Sequence, residues 1–407
     1  MTIRESIDRN WPREVEFLKA LVRVPSDNPP GDCAAAAETA ARELTKLGFA
    51  VERHPVPQEL VRENGMVSAT NLIVRKTFGT GQGPVIALNA HGDVVPPGNG
   101  WTVDPYGATE RDGALYGRGV AVSKSDFATY AFALLALEAN PAGLSGGVEL
   151  HFTYDEEAGG AIGPKWLIEQ GLSRATLTIS AGFSYAITTA HNGVLHLEVT
   201  VHGKQAHAAM PATGSDALEA AVPVLAAIYA ERGRLAGIIS REKGIGSPQI
   251  TVGLISGGIN TNVVPDKIAF RIDRRIIPDE NGAEVEAALV KLIGAALPRR
   301  DGISVSCRRI VLAEPLRPLP GAERLVAQLS RRAKEILGVD VQPTGVPLYT
   351  DARHYAAVGI PTVLYGAGPR SILEANAHGA DEHLKLSDLR AATEVIAVTL
   401  ADVLSAI

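Results

Sequence analysis

The chain has 407 residues, of which 46% are hydrophobic, 21% charged and 5% aromatic, and it carries a formal net charge of −6. That length exceeds what one core ordinarily fills, so two domains are expected, and the composition is that of a globular enzyme rather than a disordered or fibrous chain. The negative balance argues against a broad electrostatic footprint for nucleic acid or an anionic membrane, and small molecules are the expected partners.

Cys33 and Cys307 are the only cysteines and stand far apart. Neither a disulfide framework nor a thiolate zinc site is indicated, and both read as buried thiols. The stretch from Met1 to Asn10 is charged and lacks an apolar core, and no later segment offers a membrane-length apolar run. A cytoplasmic protein is the expectation.

Along the chain, apolar spacing predicts helices over residues 13–24 and 33–47, the second ending where Gly48 suits a C-cap. Asn71-Leu72-Ile73-Val74 and Val85-Ile86-Ala87-Leu88-Asn89 read as short buried strands, the latter running into His91 and Asp93. A helix over 127–138, a strand over 147–154 leading into Asp155, and a helix over 164–170 follow. The texture is that of a mixed sheet covered on both faces, with ligand groups gathering at the strand ends.

From His191 the texture changes, because residues 194–201 alternate with period two as a strand with one wet face does. A helix over 215–230, strands over 250–255 and 267–274, a helix over 283–296 and a strand over 303–309 complete a β-α-β-β-α-β unit. The first texture resumes near Pro315, with residues 359–366 as another buried strand. The predicted fold is α/β: a mixed-sheet catalytic domain formed by residues 1–189 and 312–407, with an inserted α+β, ferredoxin-like domain at 190–311.

Two short motifs carry chemistry. His91-Gly92-Asp93 at a strand end suits zinc, since one imidazole nitrogen binds metal while a carboxylate orients the ring; its plainer reading is a satisfied buried histidine. Asp155-Glu156-Glu157 ends an apolar strand, where adjacent glutamates point apart and divide two tasks, metal binding and proton abstraction from water; its plainer reading is an acidic surface loop.

With Trp101, Gly117-Arg118-Gly119, Lys124, Gly203-Lys204-Gln205-Ala206-His207-Ala208, Asn262-Val263-Val264-Pro265-Asp266 and His378-Gly379-Ala380-Asp381-Glu382, these motifs resemble the aminoacylase and carboxypeptidase family of two-zinc hydrolases. Acetylornithine deacetylase, succinyl-diaminopimelate desuccinylase and glutamate carboxypeptidase belong to that family, and the resemblance spans essentially the whole chain. It implies a catalytic domain interrupted by a lid through which two subunits pair. It also implies metal ligands at His91, Glu157 and His378, a general base at Glu156, an orienting carboxylate at Asp93, and a carbonyl-polarising His207 delivered by the lid. Asn262 and Arg275 would hold the substrate, Arg275 by a bidentate grip on a carboxylate. Arg353 offers a second fork for an anionic end, with a salt bridge to Asp351 as its plainer reading, and Gly366 falls in a glycine turn that would lie near the substrate backbone.

Two departures stand out. The family places a bridging aspartate where this chain has Val122, and a further acidic ligand where Leu177-Thr178-Ile179-Ser180-Ala181-Gly182-Phe183 has none. Asp126, one helical turn beyond Val122, is a potential substitute ligand, although a helix N-terminal carboxylate is the plainer reading. One zinc at most, or none, is expected.

The functional expectation is a hydrolase of an amide or related C–N bond in an N-acyl amino acid or peptide-like carboxylate. The alternatives are a metal-independent proton-transfer enzyme (isomerase, racemase, lyase or cyclase) using Glu156 and His207, and a non-catalytic ligand-binding relative. A homodimer through the inserted domain, with neither nucleic acid nor membrane as partner, completes the expectation.

Overall fold

The structure, a computed structural model, describes residues 1–405. The chain divides into two compact units, the larger built from residues 1–189, 318–344 and 350 onward, the smaller from residues 190–317 and 345–349. Among the described residues no helix is long and apolar enough to cross a membrane.

In the larger unit six neighbouring strands of an eight-stranded sheet run in the order Val51–Pro55, Thr70–Phe78, Gly146–Thr153, Val85–His91, Leu177–Ser180, Thr362–Leu364. The first two joins are antiparallel. The next three are parallel, so four strands bring their carboxyl ends to one edge of the sheet. Those strands are largely buried on both faces, as parallel strands covered by helices must be; Gly146–Thr153 is buried throughout, Glu149 and His151 included.

Helix Lys124–Glu138 is apolar all round and nearly every residue of it is buried. It packs against the flanking helices Ile3–Val22 and Leu386–Leu404 as well as against the sheet, where Phe127 stacks on Phe152 with centroids 3.8 Å apart. Such a pair adds about 1 kcal/mol beyond its area burial. This helix starts directly after Val122-Ser123, which fixes those residues beside the end of strand Val85–His91: the Ser123 hydroxyl donates to the His91 carbonyl at 2.9 Å and accepts the His91 N–H at 3.0 Å.

The first helix starts ten residues before the expected position 13. Thr2 and Glu5 form a reciprocal capping box, and Pro12 lies inside the helix without ending it. Its Glu14 faces helix Leu386–Leu404 and is fully buried, with the Thr393 hydroxyl donating to one oxygen and no partner on the other.

The smaller unit is a four-stranded antiparallel sheet in the order Gln249–Gly257, Lys267–Ile276, Gly193–His202, Ser304–Ala313, with helices Ala217–Leu235 and Gly282–Ala296 in the two crossovers. Leu195, Leu197, Val199 and Val201 alternate into its core with Ile268, Phe270 and Ile272. Asp216 and Asn281 cap the two helices by accepting backbone N–H groups. Strand order and connectivity are those of the ferredoxin-like unit.

Burial pushes the Glu14 carboxyl up from 4.5 to about 8, against the opposing pull of the Thr393 hydrogen bond and the Arg390 charge. Its folded-state proton therefore supports stability fully below about pH 4.5, and that support is lost as pH rises toward about 8. Glu14→Gln is expected to gain about 2–3 kcal/mol on the native protein between pH 5 and pH 7, measured as denaturant midpoints at the two pH values. Equal pH slopes for the two proteins would show that Glu14 is ionised in the fold.

Candidate active site

The edge where the four parallel strands end carries His91-Gly92-Asp93, Asp155-Glu156-Glu157, Ala181 to Tyr185, and Tyr365 to Arg370. Asp93, fully buried, organises the first two segments. One of its oxygens accepts the Glu156 N–H at 3.2 Å and faces His91 Nδ1 at 3.3 Å; the other accepts the Glu157 N–H at 3.1 Å and the Asn28 side-chain amide at 2.9 Å. The strand is thereby tied to the short 3-10 turn Glu156–Ala158.

His91 Nδ1 also lies 3.0 Å from the Asp93 carbonyl. Both neighbours of Nδ1 accept, so that nitrogen carries a proton and Nε2 faces Glu156 at 4.0 Å. Ligand atoms of His91, Glu156 and Glu157 lie within 4.8 Å of one another, the one such group able to hold a metal ion among the described residues. His378 joins through Glu157, its Nε2 lying 3.3 Å from Oε1.

The loop presenting His378 is held in a costly conformation. Asn376, His378 and Asp381 all have positive φ, at 50°, 63° and 54°. Each costs about 1 kcal/mol or more, so surrounding structure must impose the shape. Arg118 supplies it. Buried to 1% exposure, its guanidinium pairs with Glu382 at 2.6 Å and donates to the carbonyls of Gly379 at 3.0 Å and Pro97 at 3.1 Å. Glu382 in turn accepts the Ala121 N–H at 3.0 Å, beside Val122.

The charge balance of the edge is negative. Burial pushes Glu156 up to about 7; the His91 charge opposes this, while Glu157 and Asp93 reinforce it. Burial and the neighbouring Asp93 likewise take Asp155 to about 7. Asp351 is raised further, by burial and then by Glu156 and Asp155, and both of its oxygens lack hydrogen-bond partners. Although burial disfavours the imidazolium, Glu156, Asp93 and Glu157 hold His91 well above its usual range. His378 is raised chiefly by its hydrogen bond to Glu157.

The other expected residues fall as follows. Asp126 is buried beneath the edge, with Oδ1 accepting the Ala367 N–H at 2.7 Å and the Gly182 N–H also directed at the carboxylate. It is thus committed to backbone. A Cβ on Gly366 would lie 1.9 Å from Asp126 Oδ1, so this glycine makes room for a carboxylate behind the turn. Arg353 donates to the carbonyls of Thr350, at 2.6 Å, and Gly159. In the smaller unit, Arg275 grips Asp273 with two bonds of 2.9 and 3.0 Å. His207 and Asn262 lie on adjoining exposed loops, joined by the Ala208 N–H donating to the Asn262 carbonyl at 3.0 Å. His207 Nδ1 accepts the Ala209 N–H at 3.1 Å, which puts the neutral ring's proton on Nε2.

Against the model of peptidase family M20/M25/M40, residues 87–402 of the chain match. The chain belongs to that family. It is 27% identical to succinyl-diaminopimelate desuccinylase of Acidiphilium cryptum, over 94% of this chain and 96% of that one. It is 30% identical to acetylornithine deacetylase of Myxococcus xanthus, over 89% and 90%. Among solved structures, it matches Bacillus subtilis YXEP, described as a dinuclear metal binding peptidase, with a TM-score of 0.70 and 17% identity over 98% of this chain and 100% of that one.

Sequence reasoning missed Arg118 and Glu382 as the support of the His378 loop, and Asp351 as a second buried acid. Both members of the first pair lie within motifs singled out for other reasons, but nothing in either motif links it to the other. Arg118→Met strands Glu382 in the interior and is expected to cost about 3 kcal/mol, read from denaturant unfolding, with a larger loss of any Zn2+ affinity than of secondary structure. Unchanged stability would remove Arg118 from this role.

Proposed function

We propose that the protein hydrolyses an amide or related C–N bond in an N-acyl amino acid or peptide-like carboxylate, with Glu156 as the base that takes a proton from the attacking water. The observation that carries this reading is the gathering of His91, Glu156 and Glu157 within 4.8 Å, with His378 on Glu157. Glu156, lifted to about 7 by burial, is matched to proton abstraction near neutrality.

The donor set fits one cation. His91 Nε2 and Glu157, with His378 beside Glu157, offer nitrogen and oxygen ligands of the kind zinc accepts, and an ion held there would polarise the scissile carbonyl and acidify water. A second cation does not fit. Two dications about 3.5–4 Å apart repel by roughly 18 kcal/mol at an effective dielectric of 20. The Val122 isopropyl group and the Ala181 methyl offer no lone pair against that repulsion, and Asp126 is committed to the N–H groups of Ala367 and Gly182.

His207, with its Nε2–H available, is suited to polarise a carbonyl from a partner subunit. A dimer is supported by the apolar exposure of Leu254 and Ile255 on the edge strand Gln249–Gly257 and of Leu218, Val222 and Tyr229 on helix Ala217–Leu235. A second reading, proton transfer without hydrolysis, is favoured by the concentration of protonatable acids at Asp155, Glu156 and Asp351.

Plasma mass spectrometry of the purified protein is expected to find no more than one zinc per chain; two tightly held would refute this reading of the site. Glu156→Gln is expected to lower turnover of N-acyl amino acids by about 100-fold or more with the fold intact. In chelator-treated protein, any residual kcat/KM should rise with pH through about 7, because Glu156 must lose its proton to act. A product of unchanged mass would favour the proton-transfer reading.

A further inference from the structure

An enzyme that selects a carboxylate substrate needs a cation whose donors are not already taken, and most basic side chains of the strand-end segments are taken. Arg118 is spent on Glu382 and two carbonyls. The Lys124 ammonium donates to the carbonyls of Leu21 at 3.2 Å and Val24 at 3.0 Å. Arg353 donates to Thr350 and Gly159, and in the smaller unit Arg275 closes on Asp273.

Arg370 differs from all of these. Its guanidinium carbon lies over the Tyr185 ring, 3.8 Å from the centroid, and among the described residues no carboxylate pairs with that guanidinium. The platform is fixed in turn, since the Tyr185 hydroxyl donates to Asp388 Oδ1 at 2.8 Å. A guanidinium stacked on an aromatic face keeps its N–H groups in a plane with their edge outward, which is the geometry that grips a carboxylate bidentately.

Its place in the fold is also informative. Tyr185 and Arg370 follow the carboxyl ends of the paired strands Leu177–Ser180 and Thr362–Leu364, next to the strand that ends at His91. Backbone bonds continue the pairing past both strands: Tyr365 N–H to Ser180 O at 3.0 Å, Gly368 N–H to Gly182 O at 2.9 Å, and Ser184 N–H to Gly368 O at 2.7 Å. Arg370 therefore stands on the segment that leads from this glycine turn to His378. Its own N–H bonds to Glu374 at 3.0 Å and so anchors the backbone beneath the side chain.

We infer that Arg370, laid on Tyr185, is the receptor for the substrate's carboxylate and sets a preference for acids over their neutral amides; this deepens the amidohydrolase reading above and rests on it. The residue is exposed, so replacing it spares the core.

Calorimetric titration of the full chain with a panel of N-acetyl-L-amino acids, each beside its carboxamide, tests the assignment. The native protein is expected to bind acids about tenfold or more tightly than carboxamides, and Arg370→Met to erase that preference while carboxamide affinity stays within about twofold. Arg370→Lys should recover part of the preference, and Tyr185→Leu should lose about threefold on the acids alone. A preference that survives in Arg370→Met, or acids that the native protein does not bind, overturns the assignment. Turnover of the same panel is scored separately. An Arg370-dependent preference without hydrolysis of any member would overturn the amidohydrolase reading and leave the receptor standing.

Discussion

Four donors meet on the buried carboxylate of Asp93, and the geometry of the edge depends on that meeting. The backbone N–H groups of Glu156 and Glu157, the amide of Asn28 and Nδ1 of His91 come from three separate stretches of chain. One acceptor thus fixes the tautomer of His91, the path of the 3-10 turn and the spacing between the two glutamates. Burial makes the arrangement stringent, because an N–H left unpaired there costs its full desolvation penalty. Deleting the carboxylate would strand several donors at once, so its effect would far exceed that of an average buried hydrogen bond.

Around this anchor the edge holds more acid than base. Asp155, Glu156 and Asp351 are each pushed upward by burial and then by neighbouring carboxylates, while Glu156, Asp93 and Glu157 hold His91 up and the hydrogen bond to Glu157 raises His378. Such a field favours whatever positive charge can enter, whether a metal ion or protons. In a site with a bridging aspartate the balance would tilt further toward metal. The two proposed readings of the chemistry differ in which of them, metal ion or protons, prevails.

The parts of this arrangement legible in the sequence were those written in local pattern. Strand Val85–His91 opens on the apolar run Val85-Ile86-Ala87-Leu88 and strand Gly146–Thr153 repeats Val148, Leu150 and Phe152 with period two, so their carboxyl ends, and with them His91 and Glu156, could be placed from the sequence. The period-two run beginning at Val194 located the inserted unit for the same reason. What was not legible depends on distant segments meeting. Arg118 and Glu382 are 264 positions apart, and nothing in either neighbourhood announces a buried pair. Arg275 resembles a substrate fork in its motif, but Asp273 lies two positions earlier on the same side of the strand, where period two brings their side chains together.

Asp126 and Gly366 are two positions whose roles only the fold connects. Read along the chain, Asp126 offers itself as a replacement for the missing ligand, and Gly366 as a space for substrate. In the fold each explains the other. The carboxylate turns into the protein, burial lifts it to about 7, and it accepts backbone N–H groups from the Ala367 and Gly182 turns, while the glycine supplies the space for its oxygen. The Gly182 turn lies in the segment where the resemblance implies a further acidic ligand. The acid holds the backbones of both turns from behind, which fixes the shape of the edge. The same turns lead to Tyr185 and Arg370, so the carboxylate that ties them together also gives the stacked pair a rigid base.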